Sequence, residues 1–156
     1  FKQEDGEQKV YVNDKDVSID IRTPEITKNV SQVSALRSIR EKMVELQREM
    51  AGKHDVIMDG RDIGTTVLPD AEVKIFLIAS VASRAKRRFL DFQEKGIHQD
   101  LKDIEHDIEV RDYKDSHREI SPLKKADDAI ELDTTNLTID EVVAKITEII
   151  QKKQKN

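Results

Sequence analysis

Asp55-Val56-Ile57-Met58-Asp59-Gly60-Arg61-Asp62-Ile63-Gly64-Thr65 is the stretch whose reading decides the fold. Its apolar run, Val56 to Met58, stops in a polar turn that holds two aspartates, an arginine and two glycines. A short run of this kind reads as a buried strand. A buried strand ending in charged residues delivers them to the edge of an α/β sheet, where ligands bind beyond the carboxyl ends of the strands. The ligand expected at such an edge is a phosphorylated small molecule. Arg61 stands directly beyond the strand, and its planar, permanently charged fork matches phosphate oxygens.

Downstream, 73–79 reads as a second buried strand and 129–132 as a third. Between them the pattern predicts a basic helix over about 82–95, stopped by Gly96, and an acidic helix over about 100–115. In the acidic helix Leu101, Ile104 and Ile108 face inward. Ser121-Pro122 breaks the chain after it. Thr138 with Glu141 three residues on forms a capping box before a last helix, whose inner face is Ile139, Val142, Val143, Ile146 and Ile150. Strands alternating with helices indicate α/β with a parallel sheet. Upstream, Leu36, Ile39, Met43, Leu46 and Met50 make one helical stripe ended by Gly52, and Thr23-Pro24-Glu25 is a helix start. Residues 8–12 and 17–21 alternate around a turn at 13–16, which predicts a hairpin outside the alternation, in a small sheet of its own.

The composition bounds the function. A chain of 156 residues is one domain, or one with a small appendage. Hydrophobic residues at 37% and charged residues at 38% describe a charge-rich globular protein; the 4% aromatic share, without Trp, implies a core of Ile, Val and Leu. The net charge of −5 argues against a nucleic-acid partner. The absence of cysteine excludes disulfides and thiolate metal sites, and fits a reducing cytoplasm. No apolar run is long enough for a membrane span. His54, His98, His106 and His117 follow no HExxH pattern and read as surface residues, and no Ser-His-Asp signature is present. Phe1 is no initiator, so the chain is expected to begin partway through something longer.

Arg40, Arg61, Arg87, Arg88, Arg111 and Arg118 fall near helix ends or strand-end loops. Taken singly, each except Arg61 is better read as a solvated surface group. Arg111, Asp115 and Arg118, spaced by four and three, share one face of a continued helix; spacing alone favours a surface salt-bridge ladder over a face that closes on a sugar phosphate. No Walker A loop is present. Gly52-Lys53 is followed by His54, and Gln47 stands where the first glycine belongs.

Asp59-Gly60-Arg61-Asp62-Ile63-Gly64-Thr65 with Leu68-Pro69-Asp70-Ala71 and Val73-Lys74-Ile75-Phe76-Leu77 resembles the bacterial cytidylate kinase family. Ser31-Gln32-Val33, Gln93-Glu94-Lys95-Gly96, Arg111-Asp112, Ser121-Pro122-Leu123 and Leu132-Asp133-Thr134-Thr135 extend the resemblance over essentially the whole chain. It implies a P-loop-type, three-layer parallel sheet with flanking helices, here lacking its N-terminal strands, plus a small antiparallel insert. Residues 1–30 would be the rest of the monophosphate-binding insert, and 31–156 the remainder of the kinase core with a lid at about 84–100. The implied activity is phosphorylation of CMP and dCMP by ATP with Mg²⁺ in the cytoplasm. Ser31, Arg40, Asp62 and Arg118 would read the cytosine, whose N4 amino group suits a carboxylate acceptor. Arg111 and Asp115 would hold the ribose and Arg61 the monophosphate. Arg87 and Arg88 would meet ATP, and Asp59 would reach Mg²⁺ through water.

The resemblance also implies what these residues lack. The family's Walker A strand, loop and helix, and its first monophosphate-binding segment, have no counterpart here. In the family that strand lies between those matching 55–59 and 73–79. Without it two rows of backbone groups lose partners, at about 1–3 kcal/mol for each group left dry. The chain alone is therefore expected to be inactive and not to fold alone in the family's arrangement, the missing segment being its natural partner. The competing reading is a non-catalytic CMP-binding or structural fragment. A UMP or dTMP kinase suits the cytosine set less well.

Overall fold

The computed structural model describes residues 2–4 and 6–154, the side chains of 2–4, 7, 8, 24, 27, 28 and 31 excepted. It is an α/β chain in which helices flank a two-stranded parallel sheet, with two small antiparallel ladders at the start.

The opening ladders differ from the single hairpin read in the sequence. β1 (Lys2–Glu4) pairs with β2 (Glu7–Lys9), and β3 (Tyr11–Val12) pairs with β4 (Lys15–Asp16). Asn13 and Asp14 both have positive φ, 49° and 64°, which gives a two-residue loop whose twist suits a tight hairpin. The chain therefore returns at Lys15 rather than at Val17. Ser18 then ends the pairing, because its Oγ accepts the Val10 amide at 2.9 Å. Residues 17–21 are no strand, and Asp20–Arg22 is a 3₁₀ turn.

α1 (Pro24–Ala35) starts as expected, with Pro24 at its first position and Thr23 Oγ1 accepting from the Ile26 amide at 3.4 Å. Leu36, at ψ 125°, breaks the helix before α2 (Arg37–Ala51). Gly52 ends α2 at φ −73°, so no left-handed residue is needed there.

The decisive correction is at 55–59, which is irregular rather than a strand. A strand exists only through a ladder partner, and among the described residues this segment has none. Ile57 is 97% exposed. β5 (Ile75–Ile78) and β6 (Ile130–Asp133) do form, in parallel register with Ile75 opposite Ile130 and Ile78 opposite Asp133. Two flanking bonds extend the ladder, Ile130 N to Lys74 O at 2.9 Å and Thr134 N to Ile78 O at 2.8 Å.

α3 (Val81–Glu94) is capped by Ser80, and Gly96 leaves it at φ +69°, a conformation that favours glycine. α4 (Leu101–His117) packs on α3. Their seam is the core: Ala85, Phe92, Ile104 and Ile108, flanked by Val81, Phe89 and Ile97. Two phenylalanines thus enter a core expected to be aliphatic, and Leu101 is exposed rather than inward. α5 (Ile139–Gln154) has the reciprocal capping box, Thr138 N to Glu141 Oε2 at 2.8 Å and Glu141 N to Thr138 Oγ1 at 3.3 Å. Its expected inner face is uncovered at Ile139 (82% exposed) and Val143, while Val142, Ile146 and Ile150 are half-buried. The stripe Leu36, Ile39, Met43, Leu46 and Met50 is likewise exposed.

Ile104→Ala, which empties a site only 1% exposed at the α3–α4 seam, should cost about 2–5 kcal/mol, read as a lower urea midpoint. Thr138's amide and then its hydroxyl hold the Glu141 carboxyl below its ordinary value of 4.5. A folded-state value lowered in this way stabilises the protein above pH 4.5, and the contribution disappears as pH falls through the lowered value. In thermal melts between pH 3 and 6, wild type should lose more stability toward acid than Glu141→Gln.

Candidate functional site

Beyond residue 60 the chain turns sharply and carries Arg61 and Asp62 toward α2 and α4. Gly60 permits the turn: a Cβ there would lie 3.0 Å from Ile63 Cγ1. Asp62 opens one π-helical turn, Ile63–Val67, in which the amides of Thr66 and Val67 donate to its carbonyl at 2.8 and 3.2 Å.

Two buried carboxylates organise the site. Asp62, 5% exposed, accepts from Arg40 Nη1 at 2.7 Å and has Arg118 Nη2 at 3.5 Å. Asp115, 4% exposed, accepts from Arg61 Nε at 3.1 Å and has Arg111 Nε at 3.7 Å. Backbone carbonyls hold the guanidinium groups from behind: Arg40 Nε donates to Ser34 O at 2.8 Å, and Arg118 Nε to Ser121 O at 2.6 Å. Burial pushes the Arg111 and Arg118 guanidinium groups below the usual arginine value. The charge of Arg61 adds to the effect on Arg111, and that of Arg40 to the effect on Arg118, while Asp115 and Asp62 respectively oppose it. Four guanidinium groups around two carboxylates leave an excess of positive charge. Arg111 Nε and Arg118 Nη2 are buried without a hydrogen-bond acceptor among the described residues.

A pocket of about 240 Å³ adjoins this network, lined by Arg61, Arg84, Arg87, Arg88, Ile108, Arg111 and Asp112. Arg84 and Asp112, absent from the expected set, form an ion pair at 2.7 Å across the α3–α4 seam. A helical spacing of four from Arg84 to Arg88 was the available signal for Arg84. Arg87 lines the pocket, yet its guanidinium donates to the Thr134 carbonyl, to Leu137 O at 3.3 Å and to Thr134 Oγ1 at 3.4 Å. Of the expected residues, Arg40, Asp62 and Arg118 come together, as do Arg61, Arg111 and Asp115, with Arg88 in the adjoining pocket. Asp59 is exposed and takes no part in the ion pairs of this network. The Ser31 side chain lies outside the described residues. Among the described residues no group of three or more His, Asp or Glu could hold a metal ion, and no helix is long and apolar enough to cross a membrane.

Fold and site define an α/β protein with an arginine-lined, positively charged pocket. The sequence profile of the family described as "Cytidylate kinase" matches residues 1–152, and the chain belongs to that family. It is 99% identical over 156 residues to a cytidylate kinase of Lactobacillus johnsonii, covering all of this chain and 68% of that protein. It is 56% identical over 151 residues to one of Streptococcus agalactiae, covering 97% of this chain and 66% of the relative. A Bacillus cereus cytidylate kinase is 57% identical over 150 residues, covering 96% and 67%. The chain thus spans about two thirds of the length of these relatives.

Asp62→Ala should cost about 3–5 kcal/mol in urea unfolding, because it leaves Arg40 and Arg118 buried with their shared counter-charge gone.

Proposed function

We propose that the protein acts in the transfer of a phosphoryl group from ATP to CMP, and to dCMP, and that these 156 residues supply the acceptor side of that reaction. The observation that carries this reading is the network of Arg40, Asp62 and Arg118 beside Arg61, Asp115 and Arg111, whose positive excess suits a phosphate dianion.

In this reading Arg61 meets the monophosphate, and Arg111 and Asp115 hold the ribose. Asp62 accepts the cytosine N4–H beside its arginines, for which each carboxylate oxygen keeps a further lone-pair direction. Uracil presents an oxygen there and is repelled, so the site discriminates by an unpaired acceptor rather than by shape. Arg118 and, from α1, Ser31 complete the base contacts. Arg88, which lines the same pocket as Arg84, would meet the phosphates of ATP and offset charge on the transferred group. Catalysis of phosphoryl transfer is mainly positioning and charge neutralisation, which arginines supply. Arg87 would have to leave the carbonyls of Thr134 and Leu137 to reach ATP, so its work here is to hold the 134–137 loop against α3.

Magnesium commonly keeps most of its waters and takes one or two protein carboxylates together with substrate phosphates. The exposed Asp59 carboxylate fits a water-mediated role of that kind, in which the ion would offset phosphate charge. Residues up to about 30 are read as the rest of the monophosphate-binding insert and those from 31 as kinase core, with the lid at 84–100. A cytoplasmic site of action fits this nucleotide chemistry.

The chain by itself is proposed to bind without turnover, since no Gly-x-x-x-x-Gly-Lys segment occurs in it. Titration calorimetry on the 156-residue chain tests both parts. CMP should bind at least about tenfold more tightly than UMP, and Arg61→Gln should weaken both CMP and inorganic phosphate. Equal affinity for CMP and UMP would refute the cytosine assignment. Sustained ADP formation from ATP and CMP by this chain would refute the proposed inactivity.

A further inference from the structure

Arg48 lies eight residues beyond Arg40 on α2, on the same side of the helix, and nothing so far gives it a role. Its Nε donates to Val67 O at 2.9 Å and its Nη2 to Thr66 O at 2.6 Å. These are the last carbonyls of the Ile63–Val67 turn, which the turn's own amides do not reach. At the other end of the turn Arg40 holds the Asp62 carboxylate at 2.7 Å, and the Asp62 carbonyl accepts from Thr66 N and Val67 N. One helix therefore grips the turn at both ends, through two arginines.

The grip matters because α2 buries none of its residues. Val67 of the turn is itself buried, 1% exposed, but no buried side chain of α2 packs against it, so the two arginines supply the directional contacts between α2 and the 61–67 segment. If the far end of the turn were released, Asp62 would keep Arg40 and the longer Arg118 contact, and Arg61 its Asp115, but the backbone that carries them would no longer be fixed against α2 at its far end.

We propose that Arg48 is a positioning residue of the nucleotide monophosphate site, setting the register of Arg61 and Asp62 against α2. It touches no substrate. Its action depends on the guanidinium fork, since two parallel N–H groups of one plane reach two successive carbonyls; a lysine ammonium keeps the charge but cannot reproduce that geometry. Arg48 is exposed, so replacing it opens no cavity, and its effect should stay local.

Amide-resolved hydrogen exchange on the whole chain, comparing wild type with Arg48→Lys and Arg48→Met, tests this. Protection at Thr66, Val67 and Leu68 should fall about tenfold in both variants while the α3–α4 seam keeps its protection. Unchanged protection at 66–68, or an equal loss through α3 and α4, would overturn the proposal. A second arm rests on the CMP-site reading above. In Arg48→Lys the ratio of CMP to UMP affinity should fall about tenfold, as expected when a recognition group is misplaced from a distance; an unchanged ratio, with CMP still preferred, would also overturn it. If wild type prefers neither nucleotide, the CMP-site reading fails and the exchange result alone decides the role of Arg48.

Discussion

The shared burial of Asp62 and Asp115 is the constraint on which the rest of the site depends. A carboxylate removed from water is tolerated only with partners, and each of these draws arginines from different parts of the chain. Asp62 joins α2, through Arg40, to the corner after α4, through Arg118. Asp115 joins α4 to the 61–67 segment through Arg61. Segments far apart in sequence converge because two negative charges would otherwise stand unpaired. The same arrangement leaves surplus positive charge and, among the described residues, two buried N–H groups without acceptors, the features on which the phosphate-site proposal rests.

Apolar packing plays a smaller part than the sequence pattern promises. The only buried hydrophobic cluster of any extent among the described residues is the α3–α4 seam. The long stripe on α2 and the outer part of α5 face solvent, and α2 is held to the rest largely by Arg40 and Arg48. Segment 55–59 shows the same condition in the backbone. Its residues favour a strand, but favourable side chains do not make a ladder without a neighbouring one. β5 and β6 have each other; 55–59 has no strand beside it among the described residues.

The sheet and the start of α3 are tied together at the end of β6. Ser80 N donates to Thr135 Oγ1 at 3.0 Å, Ser83 Oγ to Thr135 O at 2.8 Å, and Arg87 to the Thr134 and Leu137 carbonyls. The first turns of α3 are therefore fixed to the 134–137 loop.

Sequence alone determined the features that are local. β5, β6, the four long helices after Leu36, the Thr23-Pro24 start and the Thr138–Glu141 box were legible because periodicity and capping act within a few residues. The family motifs likewise named the arginines and aspartates that meet in the network. Tertiary structure alone decided which of them pair, that Arg87 turns to a loop, that Arg84 lines the pocket, and that Arg48 holds the carbonyls of Thr66 and Val67. It also decided that 55–59 is not a strand and that the α2 stripe is uncovered. The physical reason is the same in each case: a carbonyl acceptor, a counter-charge or a ladder partner supplied by a distant segment is a property of three-dimensional proximity, which local pattern does not encode.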